Sequence, residues 1–282
     1  MQITALVDNI SYEQDLGAEH GLSLYIETGA HKILFDMGQT ELFAENAEKL
    51  GIDLADVDMA VLSHGHYDHG GGLRRFLQIN QKAPVYLSRY AFNLLYHGPV
   101  KYIGLDQSIR EEVTRTGRLR YTPEQMGIGE RLTLYSCNDR KRISPLDSAG
   151  LEVEIRGERS SDDLCKGERV PDDLCMGERV PDDFCHEQYL LVEEEGRRIL
   201  FSGCSHKGIF NIVEWLRPDV LIGGFHFSKL PLDDTLAGYA QRLDRTGTVF
   251  YTGHCTGKAQ FDFMKGYMGK LHYLSVGQRI QV

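Results

Sequence analysis

Residues 64–72, His-Gly-His-Tyr-Asp-His-Gly-Gly-Gly, constrain this chain more than any other stretch. His64, His66, Asp68 and His69 put four metal-binding side chains within six residues. A neutral imidazole is a good ligand for zinc, and a carboxylate adds the charge that holds a second cation. Residues 57–62 (VDMAVL) read as a buried strand that runs straight into this loop. His64 and His66 then point to one side of it, while Asp68 and His69 turn towards a neighbouring position. The glycines that follow let the backbone bend tightly and let a substrate approach. The fold must therefore present a strand end as a platform for two metals.

Hydrophobic periodicity supplies the scaffold. Residues 2–7, 21–27 and 31–35 read as strands, the last two joined by the turn Thr28-Gly29-Ala30. Residues 40–50 place Phe43, Ala47 and Leu50 on one helical face, and Gly51 supplies a stop. Leu73, Phe76 and Leu77 mark another helix, and 84–87 and 131–136 are short strands. The stretch 97–130 shows no clear period and is expected to be a pocket wall or lid. A hairpin over 188–195 and 198–203 follows. Helices (206–216, 232–244, 257–267) then alternate with strands (219–223, 248–252, 271–275). Such a mixture predicts an α/β sandwich in one domain, residues 1–282, with helices covering the outer faces of its sheets.

The net charge of −10, without a basic run, argues against nucleic acid as a partner. No window approaches the roughly 20 apolar residues of a membrane span, so no membrane role is expected. The opening MQITALVDNISYEQD lacks the basic and apolar parts of an export signal. Six cysteines (Cys137, Cys165, Cys175, Cys185, Cys204, Cys255) in such a chain suit a reducing cytoplasm better than a disulfide framework. Residues 157–186 repeat a decapeptide three times, GERSSDDLCK, GERVPDDLCM and GERVPDDFCH. Each copy is acidic and poor in apolar residues, which predicts a tandem duplication within a surface insertion. An extra metal site from Cys165, Cys175 and Cys185 is the less favoured alternative.

The string at 64–69 resembles the H-x-H-x-D-H signature of the metallo-β-lactamase superfamily. GLSLYIE, ILFDMGQT, FSGCSHKGI, GGFHF and TGHCTG are similar to its 7,8-dihydropterin-6-methyl-4-(β-D-ribofuranosyl)aminobenzene-5′-phosphate synthase-like branch. The resemblance spans nearly the whole chain except the decapeptides. It implies a four-layer αββα sandwich holding two metals, with zinc as the default and iron or manganese admissible. By the same resemblance His254 completes the position of Asp68 and His69. Cys204 stands where many members carry a bridging aspartate. The mid-chain histidine ligand is His206 or His186, with His206 preferred. His226 is a metal or pocket group, and Asp36 orients a metal-bound histidine through its other ring nitrogen. His20, His31 and His272 acquire no function from their context, and Cys255 reads as a small buried residue.

A dinuclear metal-dependent hydrolase is the favoured reading, attacking a small ester, lactone or phosphoester through a metal-bridging hydroxide. Asp68 would be its catalytic group, passing a proton to the leaving group. The substrate is expected to be a small molecule, phosphorylated or not. Any phosphate would meet basic residues of 97–130, for which Lys101, Arg110, Arg115 and Arg118 are candidates. Two alternatives stand beside it. One is a pterin-type synthase joining a pterin-methyl pyrophosphate to an aminobenzene-ribose phosphate. The other is a metal-holding sensor or scaffold without turnover.

Overall fold

The computed structural model of the protein describes residues 1–145, 149–154 and 177–282. The segments QITALV, SLYIE and KILF are buried at nearly every residue, as strands covered on both faces must be. They form β1 (Gln2–Val7), β2 (Ser23–Glu27) and β3 (Lys32–Phe35), an antiparallel run. Next come α1 (Leu42–Lys49), β4 (Met59–Val61), the single turn α2 (Tyr67–Gly70), α3 (Leu73–Ile79) and β5 (Val85–Ser88).

The stretch expected to be irregular, 97–130, is structured. It holds the end of β6 (Leu95–His97), then β7 (Lys101–Tyr102), α4 (Gln107–Arg115), β8 (Leu119–Thr122) and β9 (Gln125–Gly129). Only Ile109 and Val113 of α4 are buried, and the strands are very short, so no period could accumulate. The chain continues through β10 (Leu132–Tyr135), β11 (Leu151–Glu154), β12 (Arg179–Pro181), β13 (Tyr189–Glu194) and β14 (Arg197–Phe201). It ends with α5 (Ile209–Leu216), β15 (Val220–Ile222), α6 (Asp234–Asp244), β16 (Val249–Thr252), α7 (Lys258–Lys265), β17 (Leu271–Tyr273) and β18 (Arg279–Gln281).

Two seven-stranded mixed sheets result, ordered β18-β1-β2-β3-β4-β5-β8 and β17-β16-β15-β14-β13-β10-β9. Ile26, Phe35 and Val61 of the first sheet share one apolar cluster with Leu190, Phe201 and Ile222 of the second. The outer face of the first packs Leu34 and Val85 under Phe43, Phe76 and Val113 of the helices. The outer face of the second packs Leu200 and Phe250 under Ile212, Leu236 and Met264. The order is therefore helices, sheet, sheet, helices. Each fully buried Phe or Leu in these layers contributes about 1.5–3 kcal/mol.

A third sheet, β12-β11-β6-β7, lies against the sandwich with its own small core of Leu95, Ile103, Leu151, Val153 and Phe184. It alters the expectation for the repeat. The third decapeptide, 177–186, was assigned to a surface insertion, yet Asp182, Phe184, Cys185 and His186 are buried. Phe184, where the other copies have Leu, anchors it in that core. The first two copies, with Cys165 and Cys175, lie outside the described residues. Among the described residues no helix is long and apolar enough to cross a membrane.

Candidate metal centre

β4 ends against the second sheet, so the loop it feeds opens where the two sheets meet. Gly65 is required there, because a Cβ would run into the Ala91 carbonyl. The loop brings His64 and His66 together with His206, which follows β14, into one buried group of donors. The Nε2 atoms of His64 and His66 and both ring nitrogens of His206 are buried without a hydrogen-bond partner. Ser63 explains the direction of the His64 ring. Its hydroxyl donates to Asp36 Oδ2 at 2.7 Å, so it accepts from His64 Nδ1–H, also at 2.7 Å. The Nε2 lone pair of His64 is thereby aimed at the centre.

A second group adjoins the first. His69 Nδ1 lies 2.7 Å from Asp36 Oδ2 and His254 Nδ1 lies 2.9 Å from Asn9 Oδ1. Both oxygens accept, since Asn9 Oδ1 also receives the Gly21 amide. Both imidazoles therefore carry their proton on Nδ1, and their Nε2 lone pairs face each other at 3.1 Å. Cys204 Sγ is 3.2 Å from His69 Nε2, and Asp68 Oδ2 is 3.4 Å from His254 Nε2. The two facing Nε2 lone pairs and the Asp68 carboxylate beside them repel one another unless a cation lies among them, and the Cys204 thiol stands within reach as a further donor. The donor set fits a bound metal ion.

Electrostatics agree with that fit. Burial and the neighbouring imidazoles push His64 and His206 well below the ordinary histidine value. Burial, reinforced by His186, takes His66 down to about 3. These rings are neutral and ready to donate lone pairs. Burial alone would raise the Asp68 carboxyl, but His69, with His20 and His254, outweighs it and holds Asp68 well below the carboxylate range. Burial and the adjacent Cys255 thiol push Cys204 up.

Strained backbone concentrates here. Asp36, Ser205, His226 and His254 have φ of 59°, 57°, 58° and 43°, a region non-glycine residues rarely enter. Asp36 is held there by three contacts. Its carboxylate accepts from Ser63 N and Oγ and lies 2.7 Å from His69 Nδ1.

His186 stands apart from His206. Its Nδ1 accepts from the Gly65 amide at 3.0 Å and its Nε2 reaches Asp182 Oδ2 at 3.0 Å, so both ring nitrogens are engaged. His226 lies with its ring 4.4 Å from that of His206, on the wall of a cavity of about 250 Å³. That cavity is floored by His66, Asp68, Cys204, His206 and His254 and rimmed by His97, Lys101 and Lys229.

Several residues depart from expectation. His20 was given no role, yet its Nε2 is 3.2 Å from Asp68 Oδ2 on the cavity wall. Cys255, read as a plain buried residue, groups with Cys204 and His254 as a possible donor. Of the basic residues considered for a phosphate, Lys101 lines the cavity. Arg118 is spent on the Asn80 carbonyl at 2.6 Å, and Arg115 pairs with Glu111 along its helix. Lys229 was missed, since it lies two residues beyond the GGFHF motif. Asn9, Ser63 and Glu187 carried no signal in isolation. Only the fold brings them to the ligands.

The chain belongs to the metallo-β-lactamase superfamily, whose family model matches residues 16–254. Two relatives come from Methanocaldococcus jannaschii. An uncharacterized protein is 28% identical, over 95% of this chain and 98% of that one. A 7,8-dihydropterin-6-methyl-4-(β-D-ribofuranosyl)-aminobenzene-5′-phosphate synthase is 27% identical, over 99% of this chain and 95% of that one. A crystal structure described as a metal-dependent hydrolase of the β-lactamase superfamily, Tm1679, matches with a TM-score of 0.78 and 29% identity, covering 100% and 99% of the two chains. Zinc-bound PqqB from Methylobacterium extorquens shares the fold, with a TM-score of 0.54 and 8% identity over the full length of both chains.

Proposed function

We propose that this chain is a dinuclear metal-dependent hydrolase that acts on a small ester, lactone or phosphoester, with a phosphate-bearing molecule as the preferred substrate. The carrying observation is one cavity that His66 and His206 of the first donor group line together with Asp68, Cys204 and His254 of the second, and that Lys101, Lys229 and His97 also line. His64, His66 and His206 would hold one ion, and Asp68, His69, His254 and Cys204 the other. Zinc is the first choice, and iron or manganese suit the same donors. Bound there, the ions would acidify a water and polarise a phosphoryl or carbonyl oxygen.

The chain's own residues do the rest. Asp68 faces the cavity, so its carboxylate is placed to take a proton from the attacking water and pass it to a departing alkoxide. His20 contacts the same carboxylate oxygen at 3.2 Å and steadies it. Lys229 Nζ lies 3.2 Å from His97 Nε2, and both lysines depress the proton affinity of His97, after burial, the largest influence. That cationic rim favours an anionic substrate. The similarity to the hydrolase Tm1679 supports cleavage. A second reading, the pterin-type synthase, has the M. jannaschii synthase in its favour, and it would turn the same rim towards a pyrophosphate.

The test compares metal-loaded and metal-free protein on a panel of phosphodiesters, phosphomonoesters and lactones. Turnover is expected only with metal. Lys101→Ala with Lys229→Ala should raise KM for phosphorylated substrates about tenfold or more, roughly one lost charge-assisted contact, and leave a neutral lactone unaffected. Metal uptake without turnover on any substrate would leave a sensor or scaffold in place of an enzyme.

A further inference from the structure

The third decapeptide has no role in the reading above, yet it forms the wall behind three of the donors. Phe184 lies flat against His206, with ring centroids 4.6 Å apart and planes 13° from parallel. His186 reaches the backbone between His64 and His66, since its Nδ1 accepts from Gly65 N–H at 3.0 Å. An amide can only donate, so the ring carries its proton on Nε2. That proton goes to Asp182 Oδ2 at 3.0 Å, while Asp182 Oδ1 accepts from Phe184 N–H at 2.8 Å. Glu187, the next residue, accepts from the His206 and Lys207 amides at 2.7 and 2.9 Å. One short segment thus touches every element that supplies the three-histidine group.

The repeat supplies its own internal control. At the places of Phe184 and His186 the first copy has Leu164 and Lys166, and the second has Leu174 and Met176. The aspartate recurs in all three copies, as Asp162, Asp172 and Asp182. A leucine has no flat ring, a lysine ammonium has no acceptor, and a methionine thioether accepts only weakly.

We propose that Gly177–His186 is a positioning clamp for the three-histidine metal position, with Asp182 fixing the tautomer of His186, His186 holding Gly65, and Phe184 holding His206. Asp182, Phe184 and His186 are then positioning residues, absent as a set from the other two copies. The proposal rests on the metal reading above. Outer partners of metal ligands commonly set affinity by about 10–100-fold.

The experiment measures the two Zn²⁺ affinities by chelator competition in wild type, His186→Met and His186→Asn, with thermal unfolding as a control. Met is the second copy's residue, whereas Asn keeps an acceptor at the place of Nδ1. His186→Met should lose about 10–100-fold at one of the two sites and leave the other within a few-fold. His186→Asn should recover most of that loss. Equal affinities in His186→Met and wild type overturn the clamp, as does a parallel fall at both sites or a failure of Asn to rescue. If His186→Met does not accumulate as folded protein, Phe184→Leu is read in the same titration, and unchanged affinities there overturn it. A wild-type protein that takes up no Zn²⁺ overturns the metal reading instead.

Discussion

The two donor groups of the proposed metal centre are built by different means. His64, His66 and His206 form a group of neutral imidazoles, all buried, with no acid among its donors. Asp68, His69, His254 and Cys204 combine two imidazoles with a carboxylate and a thiol. The mixed group takes its alignment from polar side chains near the ends of β1 and β3, Asn9 and Asp36. The three-histidine group takes much of its alignment from a hydroxyl, a backbone amide and an aromatic ring, those of Ser63, Gly65 and Phe184. Charge therefore lies on one side of the centre, and shape on the other. A cation in the mixed group is attracted by Coulomb forces, whereas a cation in the other depends on how well the lone pairs converge.

The largest expected effects test that division directly. Asp68→Asn keeps the outline of the side chain and removes both the negative charge and the proton relay. It should lower kcat by orders of magnitude, with the weaker metal loss confined to one ion. His206→Ala should instead remove one ion almost entirely, because a three-ligand site has no spare donor. Metal analysis and steady-state kinetics on the same preparations check both. Near wild-type turnover in Asp68→Asn would remove the asymmetry, and the hydrolytic mechanism with it.

How much of this was readable beforehand follows the same division. The mixed group lies near strand ends in short, dense motifs, so Asp68 and His69 were nameable from residue type and spacing, and Asp36, Cys204 and His254 from the family resemblance of the motifs that carry them. The layers of the sandwich were legible too, since β1 to β5, β10 and β13 to β16 carry apolar runs, whereas β11 (LEVE) and β12 (RVP) of the third sheet do not. The three-histidine group was only partly legible. His206 and His186 both sit near the β13–β14 hairpin, and spacing cannot say which ring nitrogens stay unpartnered. That depends on Asp182 and Gly65, which lie 4 and 121 residues from His186. His20 and Lys229 escaped notice because a lone polar residue in a loop shows neither period nor motif. The repeat misled because its acidic, apolar-poor composition could not show that Phe184 packs into the core of the third sheet or that His186 meets the Gly65 amide.

A smaller effect concerns Cys204. Its thiol sits 3.2 Å from His69 Nε2, and burial holds it protonated until a cation displaces the proton. Cys204→Ser keeps the size and removes the soft donor. Affinity for Cd²⁺ should fall more than affinity for Mn²⁺, because thiolates favour soft ions and hydroxyls do not. The ratio of the two affinities is the measurement. An unchanged ratio would place the thiol outside the metal's reach and make the mixed group a hard oxygen and nitrogen site.

The smallest effect is expected from the largest deletion. Removing residues 157–176 takes out the first two decapeptides and joins Arg156 to Gly177, with the third copy intact. Loop closure changes by only about 0.6 kcal/mol per doubling of length, so stability should move by a similar amount. Both Zn²⁺ affinities should stay as in the full chain. Removing 167–186 instead deletes the same number of residues and also leaves one copy, but sets Leu164 and Lys166 ahead of Glu187. The two proteins then match in length and differ at four side chains, Phe184 and His186 beside the centre and Val180 and Pro181 of β12, which serines replace. If the clamp holds the three-histidine position, the second deletion loses one Zn²⁺ and the first loses none. Equal metal content in both would show that any copy serves. The contrast between a charge-held and a shape-held ion would then rest on Ser63 and Glu187 rather than on the repeat.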